Sequence, residues 1–156
     1  MPPEARWFVK AGLCYLALTF VAGSVLLALE AVGHPVPYVF GIEHAHLGTV
    51  GWLVNTVIGI ALWMLPLNRS RFPRTQGRYP RRMVAACFTL LNGGLVLRLV
   101  GEPWYQLGGA TVAAAALLLV SAVAQPLGIA IFVIIAWQRV RPPTTSRPNS
   151  LTLDSH

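Results

Sequence analysis

The sequence predicts an all-α membrane protein of four transmembrane helices, and three observations predict it. The first is composition: of 156 residues 55% are hydrophobic and only 11% charged, with a mean hydropathy of +0.61. A soluble domain carries about a quarter charged residues. The second is distribution, because the apolar residues gather in four long runs. The third is the segregation of the basic residues that give the chain its net charge of +7. Together these exclude a water-soluble globule, a disordered chain and an ordinary nucleic-acid-binding domain, so the lipid bilayer is expected as a partner and nucleic acid is not.

The first run covers residues 11–29, with Trp7 and Phe8 just before it. It lacks a small-x-small cleavage site leading into a soluble domain, so it reads as a retained helix. The second runs over 47–67 and begins earlier, near Pro37; the third covers 83–100 and the fourth 107–137. Each comes close to or exceeds the ~20 residues that cross a hydrocarbon layer of about 30 Å. All are apolar around their whole circumference, and in lipid a helix is the natural way for such a segment to satisfy its own backbone. The helices are expected at about 8–32, 37–67, 82–101 and 107–138, forming a single domain over 1–141. The fourth run is over-long and contains Gln125-Pro126, which predicts a kink or an overhanging tilted helix. The Pro/Ser/Thr-rich stretch 142–156 reads as a disordered tail.

Charge fixes the expected orientation. Arg6 and Lys10 precede the first helix; Arg69, Arg71, Arg74, Arg78, Arg81 and Arg82 lie between the second and third; Arg139, Arg141 and Arg147 follow the fourth. All of the basic residues except Arg98 thus fall on one side of a four-span topology. The positive-inside rule puts that side, and both termini, in the cytoplasm. Trp7, Trp63, Trp104 and Trp137 mark helix ends, as an interfacial aromatic belt does. The expected location is the cytoplasmic (inner) membrane of a prokaryotic cell. The arginine loop is also suited to anionic lipid. Cys14 and Cys87 lie inside helices and read as buried packing residues.

One constellation carries chemistry. His44 and His46 stand in Glu43-His44-Ala45-His46-Leu47, at the outer end of the second helix. Ionisable groups within a span are costly and usually face a partner or cofactor. Residues two apart on an α-helix are separated by about 200° around the axis. The pair is therefore badly placed to grip one ion but well placed to offer one imidazole to each of two groups. Neutral imidazole suits haem iron, copper and zinc. A cyclic oligomer would join His44 of one protomer and His46 of its neighbour around one cofactor. The plainer alternative is an interfacial histidine bonding a headgroup, a water or a backbone carbonyl. His34, in a loop, and His156, the last residue, add no further site.

The helix HAHLGTVGWLVNTVIGIALWMLPL resembles the His-x-His helix of subunit I of haem-copper oxidases and nitric oxide reductases. It matches at His44 and His46, Gly59, Trp63 and Pro66-Leu67, and covers about 24 residues of the chain. In that family the helix runs inward from the outer face, is second in an arc of four, and ligates two haems. Three arcs make a twelve-helix subunit with pseudo-threefold symmetry. The resemblance implies a homotrimer in which haem b lies between His44 and a neighbour's His46, both acting as iron ligands. The sequence departs from the family in having no further intramembrane histidine for a copper centre and no open axial position.

Arg98, near the outer end of the third helix, reads either as an i,i+4 partner of Glu102 or as a partner for haem propionates. Trp52 and Asn55 read as haem-pocket lining or as helix packing, and Asn92-Gly93-Gly94 as close packing. The expected function is that of a b-type cytochrome for electron transfer or redox sensing, with an unidentified redox partner and no catalytic residue. The alternatives are a non-haem scaffold or assembly factor, copper-binding or cofactor-free, and a gas-reactive reductase.

Overall fold

A computed structural model describes residues 1–69 and 72–140. The predicted tail, with Arg141 and Arg147, and Arg71 in the long loop lie outside the described residues. Four helices are long and apolar enough to cross a membrane: α1 (Pro3–Ala31), α2 (Tyr38–Met64), α3 (Arg81–Leu107) and α4 (Val112–Trp137). Every expected helix is found, and the differences lie at the ends.

α1 starts several residues earlier than expected, with Pro2 as cap, Pro3 in the first turn and Glu4 beside it. Proline is tolerated there because the first N–H groups have no intrahelical partner, and the acid complements the helix dipole. The helix stops in a Schellman motif: Gly33, at φ 77°, donates to the Glu30 carbonyl, and the His34 N–H donates to that of Leu29. Only glycine adopts that left-handed conformation at low cost. His34 thus belongs to a helix end through its backbone.

α2 begins after Pro37 and changes ladder midway. Its segment Leu47–Val54 is a π-helix, flanked by α-helix over Tyr38–His46 and Asn55–Met64. The Asn55 amide Nδ2 donates to the carbonyls of Val50 and Gly51, at 3.0 and 2.9 Å, where the wider ladder gives way to the ordinary one. Periodicity arguments assume 3.6 residues per turn and so do not see this segment. π-segments occur frequently at functional sites, and this one starts directly after His46.

The α2–α3 connection holds a short 3-10 turn at Pro73–Thr75. α3 continues past the expected end at 101 and through Pro103 to Leu107, the residue expected to open the fourth helix. The chain turns through Gly109 at φ 91°, and the Thr111 hydroxyl accepts from the Ala114 N–H to cap α4. This accounts for the over-long fourth run. α4 is one continuous helix through Pro126.

The helices pack as two hairpins, α1 with α2 and α3 with α4, joined chiefly through α2 and α3. Small residues permit close approach: a Cβ on Gly59 would meet Val9 and the Ala5 carbonyl, and one on Gly94 would meet Gln125. Such contacts drive helix association where lipid removes the hydrophobic incentive. Gly93, by contrast, faces open space. Cys87 is buried, as expected, whereas Cys14 is exposed on α1, so the packing role expected of Cys14 is corrected. The core lies toward the end where α1 and α3 begin and α2 and α4 finish, around Phe8, Ile58, Leu62, Val84, Leu91 and Ile135. This basic end also carries Arg81, paired with Glu4 at 3.2 Å. The opposite ends of α2 and α3 carry the histidines, Glu43, Arg98 and Glu102. Between the two ends, Asn92 donates to Asn55 Oδ1 at 3.0 Å, linking α3 to α2. Long stretches of α1 and α4 present Phe20, Val25, Leu27, Leu119, Val123 and Leu127 outward.

Candidate functional site

Three consecutive directions on one helix turn define the site. Glu43 faces α3 and is only 5% exposed. His44 lies one residue on, about 100° around the axis, and His46 lies about 60° to the other side of Glu43. The two imidazoles therefore flank the packed face of α2, and both are half-buried.

His44 rests on α1. A Cβ added to Gly23 would come within 2.8 Å of His44 Cε1, so the absence of a side chain there provides the seat for the ring. Its Nδ1 is buried and has no hydrogen-bond partner. Beside it a groove of about 320 Å³ opens to the outside, lined by Thr19, Phe20, Gly23, Ser24 and Leu27. The Thr19 hydroxyl is already committed to the Tyr15 carbonyl at 2.7 Å.

His46 is held differently. Its Nδ1 lies 2.9 Å from the Ile42 carbonyl, one turn back. A carbonyl only accepts, so this contact puts the proton on Nδ1 and leaves the lone pair of the neutral ring on Nε2. Such a bond to the far nitrogen is how ligating histidines are oriented and made more basic.

Arg98 is shared between two acids. Its Nη2 meets Glu102 at 2.6 Å, the i,i+4 pair that the spacing suggests, and its Nε lies 3.7 Å from Glu43 across the helix interface. With two carboxylates already around the guanidinium, a propionate would be a third anion and would have to compete for it. Trp52 falls in the π-segment and is 38% exposed on the outside of the helix bundle. Asn55 is fully buried in the bond with Asn92, which is the helix-to-helix role.

The residues that sequence reasoning missed are Gly23 and Glu43, the second acid partner of Arg98. A small residue on α1 at the depth of His44 was the available signal for the first. For the second it was an acid inside an apolar helix at the depth of the lone intramembrane arginine. Among the described residues no three His, Cys, Asp or Glu side chains converge on one point. Comparison with family models, curated proteins and solved structures returned no match.

Proposed function

We propose that the protein is an integral membrane b-type cytochrome, a homotrimer in which His44 of one protomer and His46 of the next hold one haem b at each interface. The supporting observation is the disposition of the two rings on opposite flanks of one helix. Each sits at the border between the packed and the exposed face, and His46 is held as the tautomer with a bare Nε2. The residues fit a haem on a second ground: His44 has a buried nitrogen without a partner beside an outward-opening groove, and a neighbouring chain would close that groove.

When bound, haem supplies one-electron redox chemistry at iron. The chain's own residues seat and orient the ligands. Gly23 lets the His44 ring lie against α1, and the Ile42 carbonyl fixes the His46 tautomer and ring orientation. Phe20 and Leu27 supply the apolar part of the groove wall beside His44. With His44 of one protomer and His46 of the next both committed to holding the group, its chemistry would be electron transfer or redox sensing rather than reduction of oxygen or nitric oxide. The charge distribution supports a cytoplasmic basic end. Arg98 and Trp52 stand at the edge of this proposal, Arg98 because Glu43 and Glu102 already hold it.

Haem content of single variants tests the reading. His44→Ala and His46→Ala should each remove the low-spin signal, because every interprotomer site uses one of each. A full complement of low-spin haem in either variant refutes the shared site.

A further inference from the structure

The basic end contains a second built feature, independent of the histidines. Arg139, directly after α4, is 1% exposed. Its guanidinium folds back across the end of α2, where Nε donates to the Pro66 carbonyl at 3.0 Å, Nη1 to Leu62 at 3.2 Å, and Nη2 to Leu65. It also lies 5.1 Å from the centre of the Tyr79 ring. The last carbonyls of a helix are a favourable place for a cation. Burial nevertheless lowers the Arg139 pKa, which reports a charge short of solvation. The ion pairs among the described residues are Arg81–Glu4, Arg98–Glu43 and Arg98–Glu102, and none reaches Arg139. A buried charge ordinarily has a counter-charge, and among the described residues this one has carbonyl dipoles and the Tyr79 ring in its place.

A cavity of about 270 Å³ adjoins it, with Trp63, Leu65, Leu67, Arg78, Tyr79 and Arg139 in its wall. Two arginines line it and no carboxylate does. Arg139 is the buried part of its wall, with three of its five N–H groups spent on carbonyls and two left over. Arg78 is exposed at the rim, as are Trp63 and Leu67 on the outer face of the bundle. The site lies where α2 has just ended and α3 is about to begin, the depth at which lipid phosphates and interfacial tryptophans meet.

We infer that this cavity binds the phosphodiester of an anionic phospholipid, with Arg139 and Arg78 as its counter-charges and Trp63 and Leu67 against its glycerol and upper acyl chain. The lipid supplies the negative charge that no described carboxylate brings to Arg139, and it ties the end of α2 to the start of α3. Arg139 itself holds the fold together, so Arg78, exposed and free of that duty, is the residue to vary.

The full-length protein is reconstituted in nanodiscs of equimolar phosphatidylglycerol and phosphatidylcholine, then released for native mass spectrometry. The wild type should retain phosphatidylglycerol in preference to phosphatidylcholine. Arg78→Ala should lower that preference about fivefold, the effect of one basic residue at an anionic surface. Arg82→Ala, equally exposed but outside the cavity, should leave it unchanged. Equal losses in the two variants would reduce the effect to diffuse surface attraction and overturn the site. Equal retention of the two lipids would overturn it as well. Displacement of the lipid by millimolar inorganic phosphate would make the site one for a free anion, also against the inference.

Discussion

Replacing Gly23 by alanine separates the seat of His44 from the stability of the helix that provides it. The added methyl carbon would lie 2.8 Å from His44 Cε1, where ordinary contact begins at 3.4 Å. The ring must retreat by about 0.6 Å, since a packed helix backbone yields less readily than a side chain. The helix itself gains, because alanine exceeds glycine by about 0.8–1.0 kcal/mol in a helix interior. Thermal stability in detergent should therefore hold or rise while ligation weakens. Disturbing the support of a metal-ligating histidine costs about 10–100-fold in affinity, so haem affinity should fall at least tenfold. The assay is haem titration followed by the Soret band, beside a melting curve on the same sample. Gly41→Ala, in α2 with nothing within 4 Å of the added carbon, serves as the control: it should hold or raise thermal stability in the same way and leave haem affinity unchanged. Unaltered haem affinity in Gly23→Ala, with the fold intact, would refute the claim that His44 acts from its seat on α1.

Further outcomes follow from the polar contacts. Asn92→Ala removes the bond to Asn55 and leaves a buried amide oxygen unsatisfied, so stability should fall by about 1–2 kcal/mol. The double variant Asn55→Ala/Asn92→Ala should cost less than the two single losses added, measured by reversible unfolding in mixed micelles. Arg98→Ala strands two carboxylates and should destabilise by about 2–3 kcal/mol, somewhat below the cost of breaking a fully buried pair because Arg98 keeps part of its exposure. Glu102→Gln should cost less. Arg139→Ala should lose about 2–4 kcal/mol, against under 0.5 kcal/mol for Arg82→Ala in the same assay. Burial raises the Tyr79 pKa above its ordinary 10.0, outweighing the opposing pull of Arg139. The unfolded chain then loses that proton first, so the stability Tyr79 contributes is complete below pH 10 and declines as pH rises through its folded value. Tyr79→Phe should flatten the alkaline part of a melting-temperature profile, and an unchanged slope would contradict the assignment.

The four helices were legible because hydropathy and length alone decide whether a segment can cross a bilayer. Their ends were less so. The apolar run ends the third helix near 101, but proline near the end of a helix removes little, and α3 runs on through Pro103 to Leu107. The π-segment was invisible because neither the wider ladder nor the Asn55 side chain returning to Val50 and Gly51 at its end leaves a mark on hydropathy. At the site, the flanking geometry of His44 and His46 came from their spacing, and the pairing of Arg98 with Glu102 from theirs. Glu43 and Gly23 required the helices to be packed, since each is defined by what a neighbouring helix brings to it. Arg139 was counted as one charge among many at the basic end, whereas its interest lies in being folded inward. A count of charges carries topology, but it does not record which of them are buried.

The central claim is that this bundle holds haem between protomers, and the reduced-minus-oxidised spectrum with haem per protomer tests it most directly. The account predicts red protein with one haem per protomer, a sharp α band on reduction and a low-spin Soret band that carbon monoxide does not shift. Colourless protein that retains no haem when haem is supplied during expression would contradict it.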